Sequence, residues 1–179
     1  MVFTAYDFYV KKTLGKIKYR DSFFGGSLLK SSHAKVARPL SCKRPMHLVF
    51  RSSRAKGRHS FLLPNNVKLI KTVLRLQSKK FKVTILSQKN AGTYLHLFIK
   101  GKNKKEITNF IRTISALIAR YVQRVHKGSA AKKKFWDQRP FTRIVEGYNG
   151  LGVALSYIIQ NELEALGVIP YVSKSFNST

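Results

Sequence analysis

The segment Thr93-Tyr94-Leu95-His96-Leu97-Phe98-Ile99-Lys100 alternates in polarity, and a period of two is the signature of a strand. Successive side chains of a strand point to opposite faces of its sheet. Leu95, Leu97 and Ile99 therefore share a face that meets a core, and Tyr94, His96, Phe98 and Lys100 share the other. Two heteroatom-bearing side chains, Tyr94 and His96, stand side by side on that second face. A histidine at position 94 would make them a two-histidine metal site, so chemistry is to be sought here first.

Downstream of this strand the pattern changes to a helical one. Asn103 with Glu106 three residues later has the spacing of a capping box. Ile107, Phe110, Ile111, Ile114, Leu117, Ile118, Tyr121, Val122 and Val125 then recur as one apolar stripe, flanked by Arg112, Arg120, Arg124 and Lys127. The periodicity assigns this stripe to a core. Upstream, Ser87-Gln88-Lys89-Asn90-Ala91-Gly92 reads as a turn and 81–86 as a strand. Pro64-Asn65-Asn66 starts a helix with asparagine available as a cap, and Val67, Ile70, Val73, Leu74 and Gln77 form its inner face. A first strand is expected at 45–51, with Met46, Leu48 and Phe50 opposing His47, Val49 and Arg51. His47 is read there as structural or DNA-contacting and not as a ligand. Residues 141–146 alternate and read as a further strand. A last helix runs to Leu166, with Gly167 as its stop. At about 100° per residue, Tyr157 falls opposite that helix's apolar arc, with Asn161 and Glu164 near it.

Charge bounds the partners. The chain has 179 residues with 35 Lys plus Arg against 7 Asp plus Glu, a formal net charge of +28. No carboxylate occurs between Asp21 and Glu106. Such a balance repels itself unless a polyanion neutralises it, and nucleic acid is the leading candidate. No apolar run approaches the roughly 18 residues of a membrane span, and no lipidation pattern is present. The start of the chain lacks a signal-peptide pattern. A bacterial cytoplasmic, nucleoid-associated location is therefore expected, with no membrane partner. Cys42 is the only cysteine, which excludes disulfide frameworks and thiolate zinc sites.

Basic loops supply candidate phosphate contacts: Arg51, Arg54, Lys56 and Arg58 in one, and Lys132, Lys133, Lys134 and Arg139 in the other. Lysine, arginine and serine grip the phosphate backbone without reading sequence. Trp136, beside the second cluster, reads either as core or as a platform on which a base stacks. Seven scattered carboxylates do not suit a two-metal nuclease, and no Walker-type phosphate loop occurs. The remaining chemistry is a histidine, a polar helix tyrosine and an asparagine. A tyrosine can attack a phosphodiester and hold the strand covalently, and one divalent cation stabilises the charge that develops.

Four segments, in one order, resemble the REP-associated tyrosine transposases, a branch of the HUH single-strand DNA transposases. They are Met46-His47-Leu48-Val49-Phe50-Arg51-Ser52, Thr93 to Phe98, Phe135-Trp136-Asp137-Gln138-Arg139 through Val145, and Ser156-Tyr157-Ile158-Ile159-Gln160-Asn161-Glu162. The resemblance implies an α+β fold, a ferredoxin-like antiparallel sheet of four to five strands with helices packed on one side. With the composition of its start and the Gly25-Gly26 break, the chain is expected to divide into a basic and aromatic arm (1–32), a transposase-like DNA-binding domain (33–170) and a flexible tail (171–179). The resemblance also implies a metal-dependent tyrosine transposase that cuts and rejoins hairpin or single-stranded DNA, as a monomer or homodimer. Tyr157 would be the nucleophile, and His96 and Asn161 the ligands of Mg2+ or Mn2+. Tyr94 stands where the family carries the first histidine of its pair, and Glu162 where a proline usually follows the asparagine. Two alternatives stay open: a domesticated relative that binds structured DNA without cutting it, and a basic RNA-binding protein.

Overall fold

The computed structural model describes residues 24–25, 38–125 and 134–145, together with isolated positions between 152 and 170. Apart from Phe24 and Gly25, the expected arm lies outside the described residues, as do the tail and Lys132, Lys133, Tyr157 and Asn161.

Strands β1 (Phe24–Gly25), β2 (Met46–Arg51), β3 (Val83–Ala91), β4 (Tyr94–Gly101) and β5 (Phe141–Ile144) form one sheet in the order β1-β5-β2-β4-β3. Every pairing is antiparallel. Helix α1 (Pro64–Lys80) joins β2 to β3, and α2 (Lys104–Val122) follows β4. From β2 to β5 the connectivity is β-α-β-β-α-β, the ferredoxin-like arrangement, as the resemblance implied.

The core lies between the two helices and one face of the sheet. Met46, Leu48 and Phe50 of β2 pair in register with Ile99, Leu97 and Leu95 of β4. All six are buried with Ile70 and Leu74 of α1 and Ile107, Phe110, Ile114 and Ile118 of α2. Burying a side chain of this size is worth roughly 1.5–3 kcal/mol, so the stripe read from the sequence is what fixes α2 to the sheet. The Asn103 side chain accepts from the Glu106 backbone N–H at 2.8 Å and starts α2 as expected. The stripe stops three residues short of Val125. Arg124 adopts φ 55°, its N–H bonds the Tyr121 carbonyl, and the Val125 N–H bonds the Arg120 carbonyl. That paired reverse bonding closes a helix end.

Two local expectations are corrected. Asn65 and Asn66 do not cap α1: Leu63 occupies that position without a side-chain cap, and Pro64 opens the helix. The Asn66 amide instead donates to the Arg58 and Ser60 carbonyls and ties the helix start to the preceding loop. The polar run from Ser87 to Asn90 is strand, not turn. β3 continues to Ala91, pairs with Tyr94 across a two-residue turn, and shifts register between Ile85 and Ser87. Gly92 takes φ 66° in that turn, a conformation that costs glycine nothing. β3 is an edge strand, and edges tolerate the polar residues that otherwise signal a turn.

Candidate active site

The face of the sheet away from α1 and α2 carries Tyr94, His96 and Phe98 of β4. Opposite them on β2 stand Arg51, Val49 and His47. The sequence assigns only the opposite face to a core. His47 (1% exposed), His96 (6%) and Phe98 (1%) are buried as well, as are Val49 and Phe141. Alternation gives the two faces of a strand but cannot tell whether a second layer covers one of them, and here both are removed from solvent.

Four rings run across this face in near-parallel planes. Tyr94 and His96 lie 6.0 Å apart between centroids, His96 and His47 5.4 Å, and His47 and Phe98 4.7 Å. His47 Nε2 is 3.2 Å from His96 Nδ1, within hydrogen-bond distance. Register makes this contact: His47 faces Phe98 and Val49 faces His96, so the two histidines are diagonal neighbours on one face. Sequence spacing alone misses His47. Aligning the apolar residues of the two predicted strands in antiparallel register would have found it.

Burial lowers the pKa of His96 to about 4. His47 is also lowered well below the usual histidine value, first by burial and then by His96 and Arg143. Both imidazoles are therefore neutral at physiological pH, the form that offers a lone pair to a cation or a hydrogen bond. The Tyr94 phenol is pushed up, mainly by burial; Arg51 offsets this in part and Asp137 adds to it. A phenol that holds its proton more firmly than usual is a poor ligand.

The basic loops divide. Arg51 is engaged within the protein: its Nε lies 3.3 Å from Asp137 Oδ2 and its guanidinium sits 5.4 Å above the Tyr94 ring. Asp137 also accepts from the Ser53 backbone N–H and hydroxyl. Arg54, Lys56 and Arg58 are exposed on the loop after β2, and Lys134 and Arg139 are exposed before β5. Trp136 takes the first of its expected readings, as a half-buried part of the core. It packs against Phe50, Phe61 and Phe135, and its indole N–H donates to the Ser115 carbonyl at 2.9 Å. One side of it also lines a groove beside α2.

Among the described residues no three His, Cys, Asp or Glu side chains come together to hold a metal. The described face offers two neutral imidazoles and a protonated phenol. Such a set only partly fits a hard oxygen-seeking cation such as Mg2+, and the expected oxygen ligand, Asn161, lies outside the described residues.

The family model of IS200-like transposases matches residues 41–161. The chain belongs to the IS200-like transposase family. That match spans β2 to β5 and the segment that holds Tyr157 and Asn161. Membership carries a transposase-like function and a DNA partner. Among the described residues of this family member, no helix is long and apolar enough to cross a membrane. A solved protein from Deinococcus radiodurans R1, provisionally described as a transposase, aligns over 72% of the chain and 98% of its own. It does so at 17% identity and a TM-score of 0.46, and nothing below rests on it. No curated protein matches the chain.

Proposed function

We propose that this IS200-like transposase binds hairpin or single-stranded DNA and cuts one strand with Tyr157. The phenol oxygen of Tyr157 bonds to the scissile phosphorus, giving a 5′-phosphotyrosine, and the departing strand keeps a 3′-hydroxyl. His96, with Asn161, would hold Mg2+ or Mn2+. Polarisation of the phosphate is the chemistry that a cation supplies there.

One observation carries this reading: the buried contact between His47 Nε2 and His96 Nδ1 at 3.2 Å. With both rings neutral, one nitrogen donates and the other accepts. If His96 Nδ1–H donates to His47, the proton is fixed on Nδ1 and the Nε2 lone pair of His96 is left for a ligand. A metal-binding histidine is commonly oriented in this way by a partner at its other nitrogen. His47 is then a positioning residue, and it helps offset the loss of a histidine at position 94.

The test is incubation of the protein with end-labelled hairpin DNA and Mn2+. A covalent protein–DNA adduct that disappears in Tyr157→Phe is expected. Tight binding without an adduct in either cation favours a binding-only relative, a reading supported by the raised pKa of Tyr94 at the ligand position. A preference for folded RNA over hairpin DNA would sink both. His47→Phe tests the positioning role. It should weaken Mn2+ binding, read by the metal-dependent rise in Tm, while hairpin affinity stays within about twofold, since a sub-kcal/mol change is less than tenfold.

A further inference from the structure

We propose that the groove between α2 and residues 134–140 binds an unpaired stretch of DNA, on the opposite side of the sheet from His96. The groove has a volume of about 980 Å3. This is near the upper end of the roughly 300–1,000 Å3 typical of built ligand sites. Its floor is one flank of α2, where Ser115, Ala116 and Ala119 leave room that larger side chains would fill.

Four cations line it: Arg38, Arg112, Lys134 and Arg139. Among the described residues no carboxylate does. The one carboxylate of the adjoining segment, Asp137, is turned away and occupied by Ser53 and Arg51. Arg38 is held in place by donating to the Pro140 carbonyl at 2.7 Å. It lies close enough to Arg139 that the two like charges disfavour each other, which adds to the effect of its burial. Cations built into one groove without a counter-ion among the described residues call for an anionic occupant.

Trp136 selects the kind of anion. Its indole lines the groove and is fixed there by the bond to Ser115, so its ordering is already complete. Cations spaced along a groove with an aromatic surface are what a single strand uses: phosphates meet the cations and bases meet the ring. A duplex, with its bases turned inward, makes no use of the ring or the enclosed volume. The identification of the polyanion as DNA rests on the family reading above. The groove faces the helices and His96 faces away from them, so a strand held here lies apart from the phosphate to be cut.

Trp136 is the only tryptophan in the chain and lines this groove, so its fluorescence responds to an occupant there. The experiment titrates the full chain, with chelator present, with a single-stranded oligothymidylate of about 12 nucleotides, within the usual range of strand-site sizes. Saturable quenching is expected. Arg112→Glu and Arg139→Glu should each weaken binding by about tenfold or more and lower the salt slope by roughly one or more. Lys71→Glu on the exposed side of α1 makes the same change in net charge away from the groove, and should alter affinity by less than about threefold, the scale of a distant surface charge. Equal losses in all three variants, absence of a Trp136 signal, or tighter binding of the matching RNA would each overturn the proposal. The adduct assay is independent of it. An adduct with equal losses removes the groove and leaves the cleavage reading. Groove-specific losses without an adduct do the reverse.

Discussion

His96 ties the stability of this protein to pH. Its pKa is about 4 in the fold, against 6.5 for an ordinary histidine. Between these values the unfolded chain takes up a proton that the folded chain refuses, so stability falls as pH drops. The stabilisation is complete above about pH 6.5 and is lost progressively toward pH 4. His47 adds in the same direction. At about 1.4 kcal/mol per pH unit, His96 alone costs a few kcal/mol across that window. Thermal unfolding in chelator should show Tm falling from pH 7 to 4.5, and falling less in His96→Gln. Parallel curves for the two proteins would contradict the assignment. Tyr94 yields the complementary prediction. Tyr94→His puts a third imidazole on the face, beside His96, and should make Mn2+ raise Tm by several degrees more than in the parent chain, through binding to the native state alone. The variant also loses the Arg51 guanidinium above the Tyr94 ring, so without metal it should be about 0.5–1 kcal/mol less stable.

At the scale of elements, the join of β4 to α2 is closely packed. Gly101 ends β4 opposite Val83, and a Cβ there would lie 2.5 Å from Ile107 Cγ1. Ile107 is fully buried and cannot swing aside. Gly101→Ala should therefore cost about 1–3 kcal/mol, as overpacking does, seen as a lower urea midpoint with unchanged slope. A midpoint equal to that of the parent would mean that the first turn of α2 can yield. Elements whose own residues carry a clear period were legible in advance: β2, β4, β5 and the body of α2. Those shaped by a neighbour were not. The polar run Ser87–Asn90 belongs to β3 because β4 pairs with it. Asn66 serves the loop before α1 because the Arg58 and Ser60 carbonyls are within its reach. The site was half legible for the same reason. His96 and Tyr94 are neighbours along one strand, whereas the contact of His96 with His47 depends on the register of two strands separated by 49 positions.

For the whole molecule, charge sets two responses to salt that run in opposite directions. The net charge of +28 is carried by a chain of 179 residues, whose described helices expose Lys68, Lys71, Arg75, Lys79, Lys80, Lys104, Lys105 and Arg112. Without DNA these charges repel one another, and the compact state bears more of that cost than the expanded one. Screening shortens the range of repulsion to about 10 Å at 0.1 M salt and about 3 Å at 1 M. Added salt should therefore raise the Tm of the free protein. The same salt weakens the complex. If between about six and ten phosphates are contacted, hairpin affinity should fall by roughly 10³–10⁵ between 50 and 200 mM salt. Calorimetric or fluorescence melting, paired with a binding titration across one salt series, reads both slopes on the same sample. A Tm that falls with salt would mean that the cations are already balanced inside the fold. A shallow binding slope would mean that few of them reach phosphate. Opposite slopes are what a domain produces when most of its charge waits for DNA.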